Sequence, residues 1–304
     1  MDLFKIFKEN FSLENIKGQV TAARNTAQVI ESLLSLMQDN KISNSVKEML
    51  GNLKVLVKDQ PNIVSINHFI NHFLLKLNPE NQPIVLKELL EVFHERWKHV
   101  DRKTASVAFN LHDLKGKTIA FYGNDSSMTA LVDICVVHQS NTSVVQILAK
   151  NDKEAKEQAV NILQQHVSVT AVDLYNIGRL HDKIDYLYLS ADVIMHETFI
   201  TKSGGHLLAT WARRHQIPVM ILSDSRKILN KKILPASVLG TFINESKKSP
   251  NDIWKGAPEG IEVINYHLEE VSSSLVDFFV LEQQAYTPLE LSHEVDKILV
   301  SKFI

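Results

Sequence analysis

Cysteine is almost missing from this chain: Cys135 stands alone among 304 residues. One thiol per chain excludes an internal disulfide framework and a cysteine-ligated zinc cluster, and it fits a reducing compartment, so a cytoplasmic setting is expected. Long apolar runs are missing too. No stretch approaches the roughly 18 uninterrupted apolar residues of a membrane span, so no membrane partner is expected. Neither sign of charge is in excess: 33 Lys plus Arg against 35 Asp plus Glu leave a net charge of -2. The chain therefore has no global field that would draw it to polyanions or lipid surfaces. Basic pairs such as Arg213-Arg214 and Lys231-Lys232 are short, lack interleaved aromatics and read as solvated surface, so no nucleic-acid partner is expected. Met1 to Phe11 (MDLFKIFKENF) mixes charged and apolar residues at helical spacing without the apolar block of a secretory leader, and is expected to be retained. What remains is an ordinary soluble composition, 44% apolar and 22% charged, with enough length for two packed units.

Glycine is scarce, and its placement divides the chain. Residues 1–115 hold only Gly18 and Gly51, and the other eight of ten follow. The first part is expected to be a bundle of four or five helices. Apolar residues recur at helical spacing over Val20 to Gln38, Ser45 to Lys58, Ile63 to Leu77 and Pro83 to Val100, the last opening on a proline suited to a first turn. From Gly116 the period changes to short Val- and Ile-rich runs alternating with helical stretches. Strands are expected at Lys117–Tyr122, Ser143–Ala149, Val167–Val172, Asp185–Leu189, Pro218–Leu222 and Gly260–Ile264. Helices are expected at Ser126–His138, Lys153–Gln165, Gly204–His215, Val271–Glu282 and Leu289–Ser301. The fold class is therefore α/β: an N-terminal helical bundle (1–115), then a Rossmann-like, doubly wound and mostly parallel sheet (116–304). Ser246 to Gly260 reads as a surface loop. Ligands of such sheets bind beyond the carboxyl ends of the strands, so the residues just after each strand carry the functional weight.

Several chemistries lack their motifs. There is no G-x-G-x-x-G fingerprint, no phosphate loop ending in G-K-[ST] and no G-x-S-x-G elbow, and no cofactor is expected. His94-Glu95 with His99 misses the zincin spacing by one residue, roughly 140° around a helix, while His68 and His72 have i, i+4 spacing but no third ligand nearby. No metal is expected. Cys135, mid-helix, reads as a packed core thiol. Two places remain. After the first strand, Gly123-Asn124-Asp125-Ser126-Ser127 opens a helix, either holding a phosphate on free amides and hydroxyls or simply capping the helix through Asp125 or Ser126. After the fourth strand, Asp192 and Lys202 are spaced to return to one rim, where a carboxylate orients hydroxyls and an amine holds a phosphate; the alternative is a helix cap and an exposed amine.

These residues, in their order, resemble the superfamily that joins the alpha, beta and delta subunits of eukaryotic initiation factor 2B with methylthioribose-1-phosphate isomerase and ribose-1,5-bisphosphate isomerase. Val169 to Asp173 precedes a helix, and Asp185 to Asp192 resembles the strand ending in "GAD". Thr201 to Ala209 resembles "NKIGTxxLA", Ile217 to Ile221 resembles "iPfyV", and Asn265 to Pro288 resembles the family ending. By that resemblance Asp192 matches the isomerases' catalytic acid and Lys202 the lysine that helps bind the phosphorylated sugar. The catalytic cysteine is replaced by Gly123 or, with a one-residue shift, by Asn124. The family's "E-T-R-P" turn is replaced by Lys150-Asn151-Asp152-Lys153, and the N-terminal arginine-glycine motif is missing, Arg24 being only a loose counterpart. Without a second proton-transferring group, turnover is disfavoured. The resemblance implies a non-catalytic protein that binds a sugar phosphate or nucleotide, a protein partner, or both, through Gly123, Asn124, Ser126, Ser127, Asp192 and Lys202. The alternatives are an aldose-ketose isomerase using Asp192 and an oligomeric scaffold with an empty cleft. The family pairs through its C-terminal domain, so a homodimer is expected.

Overall fold

In a computed structural model the described residues are 64, 68, 72, 88, 91–93, 95–150, 152–230 and 247–298. The chain divides into two compact units, Met1–Val100 with Ile298–Ile304, and Asp101–Lys297. The helices expected over Val20–Gln38 and Ser45–Lys58 lie outside the described residues. Within the first unit Val64, His68, His72, Glu88 and residues 91–93 and 95–97 are helical. There His68 meets Trp97 edge-on at 5.6 Å and His72 lies 5.4 Å from Phe93, which makes them packing residues of that unit.

The second unit is built on a seven-stranded sheet. Its elements are α1 (Val100–Leu111), β1 (Thr118–Tyr122), α2 (Ser126–Val137), β2 (Ser143–Leu148), α3 (Lys153–Leu163), β3 (Val169–Asp173), β4 (Tyr186–Ser190), β5 (Val193–Ile194), β6 (Thr198–Lys202), α4 (Gly205–Arg214), β7 (Val219–Leu222), β8 (Leu268–Ser272), β9 (Phe278–Val280), β10 (Ala285–Tyr286) and α5 (Pro288–Lys297). The sheet order is β10-β9-β7-β4-β1-β2-β3, parallel except for the β9–β10 pair. The order reverses between β1 and β4, where a doubly wound sheet opens its crevice.

Central strands buried on both faces need continuous apolar runs, and Ile119, Ala120, Phe121 and Tyr122 of β1 are all fully buried. Phe121, Tyr188 and Met220 pack on one face with Ala105 and Ala108 of α1 and Met128, Leu131 and Cys135 of α2. Each large side chain so buried contributes roughly 1.5–3 kcal/mol. On the other face Tyr122 reaches the start of α4, packing against Gly204 and donating its hydroxyl to the Ser203 carbonyl.

Two expected elements are corrected. Gly260–Ile264 forms no strand and belongs to an irregular, mostly exposed segment. Val271–Glu282 is not a helix: it finishes β8, turns through Ser273–Leu275 and forms β9. The sequence VSSSLVDFFV has helix-like apolar spacing, but serines cap and turn the chain and the Phe-Phe-Val run suits a buried strand, so tertiary context prevails. A second sheet, β5-β6-β8, went unanticipated. Its strands are short, and the β6–β8 pairing joins residues about 70 positions apart, from Thr198↔Ser272 to Lys202↔Leu268.

Candidate functional site

The carboxyl edge of the sheet carries nearly all of the unusual chemistry of the second unit. At the end of β1, Gly123 adopts φ +101°, and a Cβ there would lie 2.1 Å from the Ser190 hydroxyl oxygen at the end of β4. A side chain here would force the Ser190 hydroxyl to rotate away and would still press on the Ser190 Cβ at 3.1 Å, and the positive φ adds strain, so glycine suits the close β1–β4 approach. Asn124 follows, half-buried. Asp125 then caps α2 by accepting from the Ser127 amide at 2.9 Å, as the capping alternative predicts. Ser127 is buried and Ser126 exposed on that first turn.

The second Asp125 oxygen takes the ammonium of Lys227 at 2.8 Å, with side chains only 9% and 7% exposed. Lys227 comes from the turn after β7, Ser223 to Lys227. There Asp224 caps the single 3-10 turn and holds Arg226 through both oxygens, at 2.7 and 3.0 Å. Glu282 accepts from the Ser225 amide and hydroxyl at 2.9 and 2.6 Å. Burial alone would raise the Asp224 pKa; the guanidinium of Arg226, helped by Lys227, outweighs it and holds the carboxyl at about 2. Burial would likewise discharge Lys227, but Asp125, then Asp224 and Asp192, keep its pKa above the ordinary lysine value. Asp192 therefore stands in the field of Lys227.

Lys202 ends β6 on the hairpin that begins just after Asp192, and β5–β6 pairing places Val193 opposite Ile200. Both expected residues thus flank the same rim. Their charges go separate ways, since the Lys202 ammonium binds the Asp152 carboxylate and lies 5.8 Å over the Tyr122 ring. Asp152 also accepts from the amides of Ala155 and Ala149, at 3.2 and 3.4 Å, capping α3. Glu269 of β8 accepts from Gly204 and His206 at 2.9 and 2.8 Å, capping α4. His267 beside them is driven neutral, with burial, Lys248 and Lys202 lowering its pKa to about 4. Burial also pushes the Cys135 thiol up, far from the thiolate a nucleophile needs.

Helix N-termini are ready anion sites, yet α2, α3 and α4 are each filled by a carboxylate of the chain itself: Asp125, Asp152 and Glu269. Among the described residues no group of three or more His, Cys, Asp or Glu is arranged to hold a metal, and no helix is long and apolar enough to cross a membrane. Sequence reasoning missed Asp152, Asp224, Arg226, Lys227, Glu269 and Glu282. A signal existed for Asp224 to Lys227, a charged run directly after a strand, in the place where Asp192 was sought.

A doubly wound α/β unit whose strand order reverses between β1 and β4, in a chain with a further N-terminal unit, places the molecule in the class of open α/β folds, whose ligands ordinarily bind at that edge. The model of the initiation factor 2 subunit family matches residues 15–288, and the chain belongs to that family. The structure is similar to translation initiation factor eIF-2B from Pyrococcus horikoshii OT3, with a TM-score of 0.70 and 16% identity over 94% of this chain and 97% of that one. It is similar to eIF2B beta from Chaetomium thermophilum, with a TM-score of 0.67 and 13% identity over 99% and 92%. It is also similar to 5-methylthioribose 1-phosphate isomerase from Pyrococcus horikoshii OT3, with a TM-score of 0.67 and 13% identity over 98% and 88%. At these identities the likeness concerns the fold. No curated protein is a significant match to the sequence.

Proposed function

We propose that this chain is a non-catalytic member of the initiation factor 2 subunit family that works in the cytoplasm by assembling with protein partners, first of all a second copy of itself through the C-terminal unit. The observation that carries the reading is that Gly123, or Asn124 with a one-residue shift, stands where the isomerases' thiol is expected: neither supplies an acid, base or nucleophile, and a side chain at 123 would crowd that of Ser190. The charges of the rim point the same way. Lys202, Arg226 and Lys227, the cations that would hold a phosphate, are each paired with a carboxylate of the chain. A sugar phosphate or nucleotide entering there must break those pairs and meet Asp125, Asp152, Asp192 and Asp224. Of the two modes of action expected, protein partnership is therefore favoured over ligand binding. One similar solved structure is a tetrameric complex of eIF2B beta and delta subunits from C. thermophilum, which suits a family that assembles.

Turnover as an aldose-ketose isomerase is the second reading. Asp192, half-buried beyond β4, is the feature in its favour. One experiment separates the two. The purified protein is challenged with ribose 1,5-bisphosphate, methylthioribose 1-phosphate and nucleoside monophosphates, while thermal stability, product and solution mass are followed. A dimer or larger assembly with no product and no stabilisation is expected. Product formation would establish the isomerase; stabilisation without product would restore the ligand-binding role. A strict monomer would overturn assembly.

A further inference from the structure

Among the described residues Lys227 is the most enclosed cation of the second unit that pairs across distant segments: 102 positions separate it from Asp125, and both side chains are nine-tenths buried. The turn that carries it is anchored at several points. Thr104 of α1 donates to the Ser223 carbonyl, Glu282 holds Ser225, the Leu229 amide donates to Ile194 of β5 at 2.7 Å, and Asn230 donates to the Val295 carbonyl of α5. With the backbone of the turn so held, little main-chain freedom is lost when the lysine pairs. Its ammonium meets the Asp125 cap of α2, just after β1, and stands in the field of Asp224, which follows β7, and Asp192, which follows β4, so it links the loops that flank the β1–β4 reversal.

We propose that Lys227 is a built-in latch: a tethered ammonium that occupies the crevice, joins the turn after β7 to the Asp125 cap of α2, and keeps the crevice shut. Asp125, Asp224 and Asp192 are the acids that face it, and Arg226 is the other cation, engaged by Asp224. Removing the ammonium leaves these carboxylates opposed with one guanidinium among them, so their repulsion separates the β7 turn from α2 while the anchors hold the rest of the unit. Only a group that competes for the same carboxylates, an amine or another cation, would open it from outside; a phosphate adds to the repulsion. The latch thus concerns access to the crevice, whatever the chain assembles with.

The two thiol positions allow a direct test. Asn124→Cys places a reactive group beside Asp125, and the native Cys135, 3% exposed in α2, reports opening of the core. Reaction with a charged thiol reagent is followed at both positions in the otherwise native chain and in the Lys227→Met, Lys227→Arg and Asp125→Asn backgrounds, with neither ligand nor partner present. The introduced thiol is expected to react at least ~10-fold faster with Lys227→Met, by a smaller factor with Asp125→Asn, and at the parental rate with Lys227→Arg, while Cys135 stays slow throughout. Equal rates in the native and Lys227→Met backgrounds would overturn the latch. So would parallel acceleration of both thiols, because that signals loosening of the whole core. Should Lys227→Met not fold, an unchanged rate with Asp125→Asn is sufficient to reject it. The solution mass of the unlabelled protein, which tests assembly, is read separately.

Discussion

The two sides of the crevice solve the same problem with different materials. On the β7 side, Asp224–Arg226 and Asp125–Lys227 form pairs with side chains at most 11% exposed, placed on a turn pinned from four directions. On the β2 side, Lys202 leaves 15% of its side chain exposed, and its partner Asp152 keeps two backbone amides whether or not the lysine is present. Charge is cancelled within the chain on both sides, but on the β7 side each carboxylate keeps one backbone amide, Ser127 for Asp125 and Arg226 for Asp224, where Asp152 keeps two and its lysine is more exposed. Buried pairs add little net stability when intact and cost much when halved, so the difference should appear on cutting them singly.

The largest effect is expected there. Arg226→Met leaves the Asp224 carboxylate in the interior with Lys227 as its remaining cation, and a loss of about 3 kcal/mol is expected in denaturant unfolding. Lys202→Met leaves Asp152 satisfied by Ala149 and Ala155, and about 1 kcal/mol is expected. Equal losses would erase the distinction between the sides, and a larger loss at Lys202 would invert it.

Between the two sides lies Gly123, where the expected effect is of intermediate size. Gly123→Ala adds a Cβ at positive φ and drives it into the Ser190 hydroxyl, with about 2 kcal/mol lost. Combining it with Ser190→Gly removes the collision and leaves the backbone strain, so roughly half of the loss should return. Full recovery would show that collision alone matters. A neutral Gly123→Ala would mean that the β1–β4 approach yields readily and that the thiol position is not sterically closed.

Much of this arrangement was legible from residue order. The apolar runs at Lys117–Tyr122, Ser143–Ala149, Val167–Val172, Asp185–Leu189 and Pro218–Leu222 became β1, β2, β3, β4 and β7 within a residue or two at each end, because β1, β2, β4 and β7 are buried strands that need continuous apolar runs, while β3, a largely exposed edge strand, showed itself by its β-branched residues. Asp192 and Lys202 lie at the two ends of the β5–β6 hairpin, a proximity that their ten-residue spacing allowed. Their partners were not legible, since Lys202 meets Asp152 across 50 positions and Lys227 meets Asp125 across 102, distances set by sheet order rather than by any local period. The β5-β6-β8 sheet escaped for the same reason. Asp152 is the instructive case: in the turn that stands where the family has "E-T-R-P", an acid both caps α3 and captures the lysine expected to bind phosphate.

A pH-dependent effect sharpens the comparison further. His267, on the β2 side, has its pKa lowered to about 4 by burial and by Lys248 and Lys202, whereas an unfolded chain protonates it near 6.5. The native state therefore binds fewer protons than the unfolded state in that interval. The contribution is intact above about pH 6.5 and is lost as pH falls toward 4, up to about 3 kcal/mol in total. On the β7 side the corresponding window is lower, from 3.8 down to about 2, where Asp224 is protonated and releases Arg226. Thermal unfolding followed from pH 8 to pH 3 should show the first decline with the β7 network still intact. His267→Gln should flatten the curve between pH 6.5 and 4 and leave the steeper loss below pH 4 in place. An unaltered slope in that variant would assign the upper window to another group, and His112, whose pKa is lowered by burial at the opposite end of the sheet, is the next to substitute.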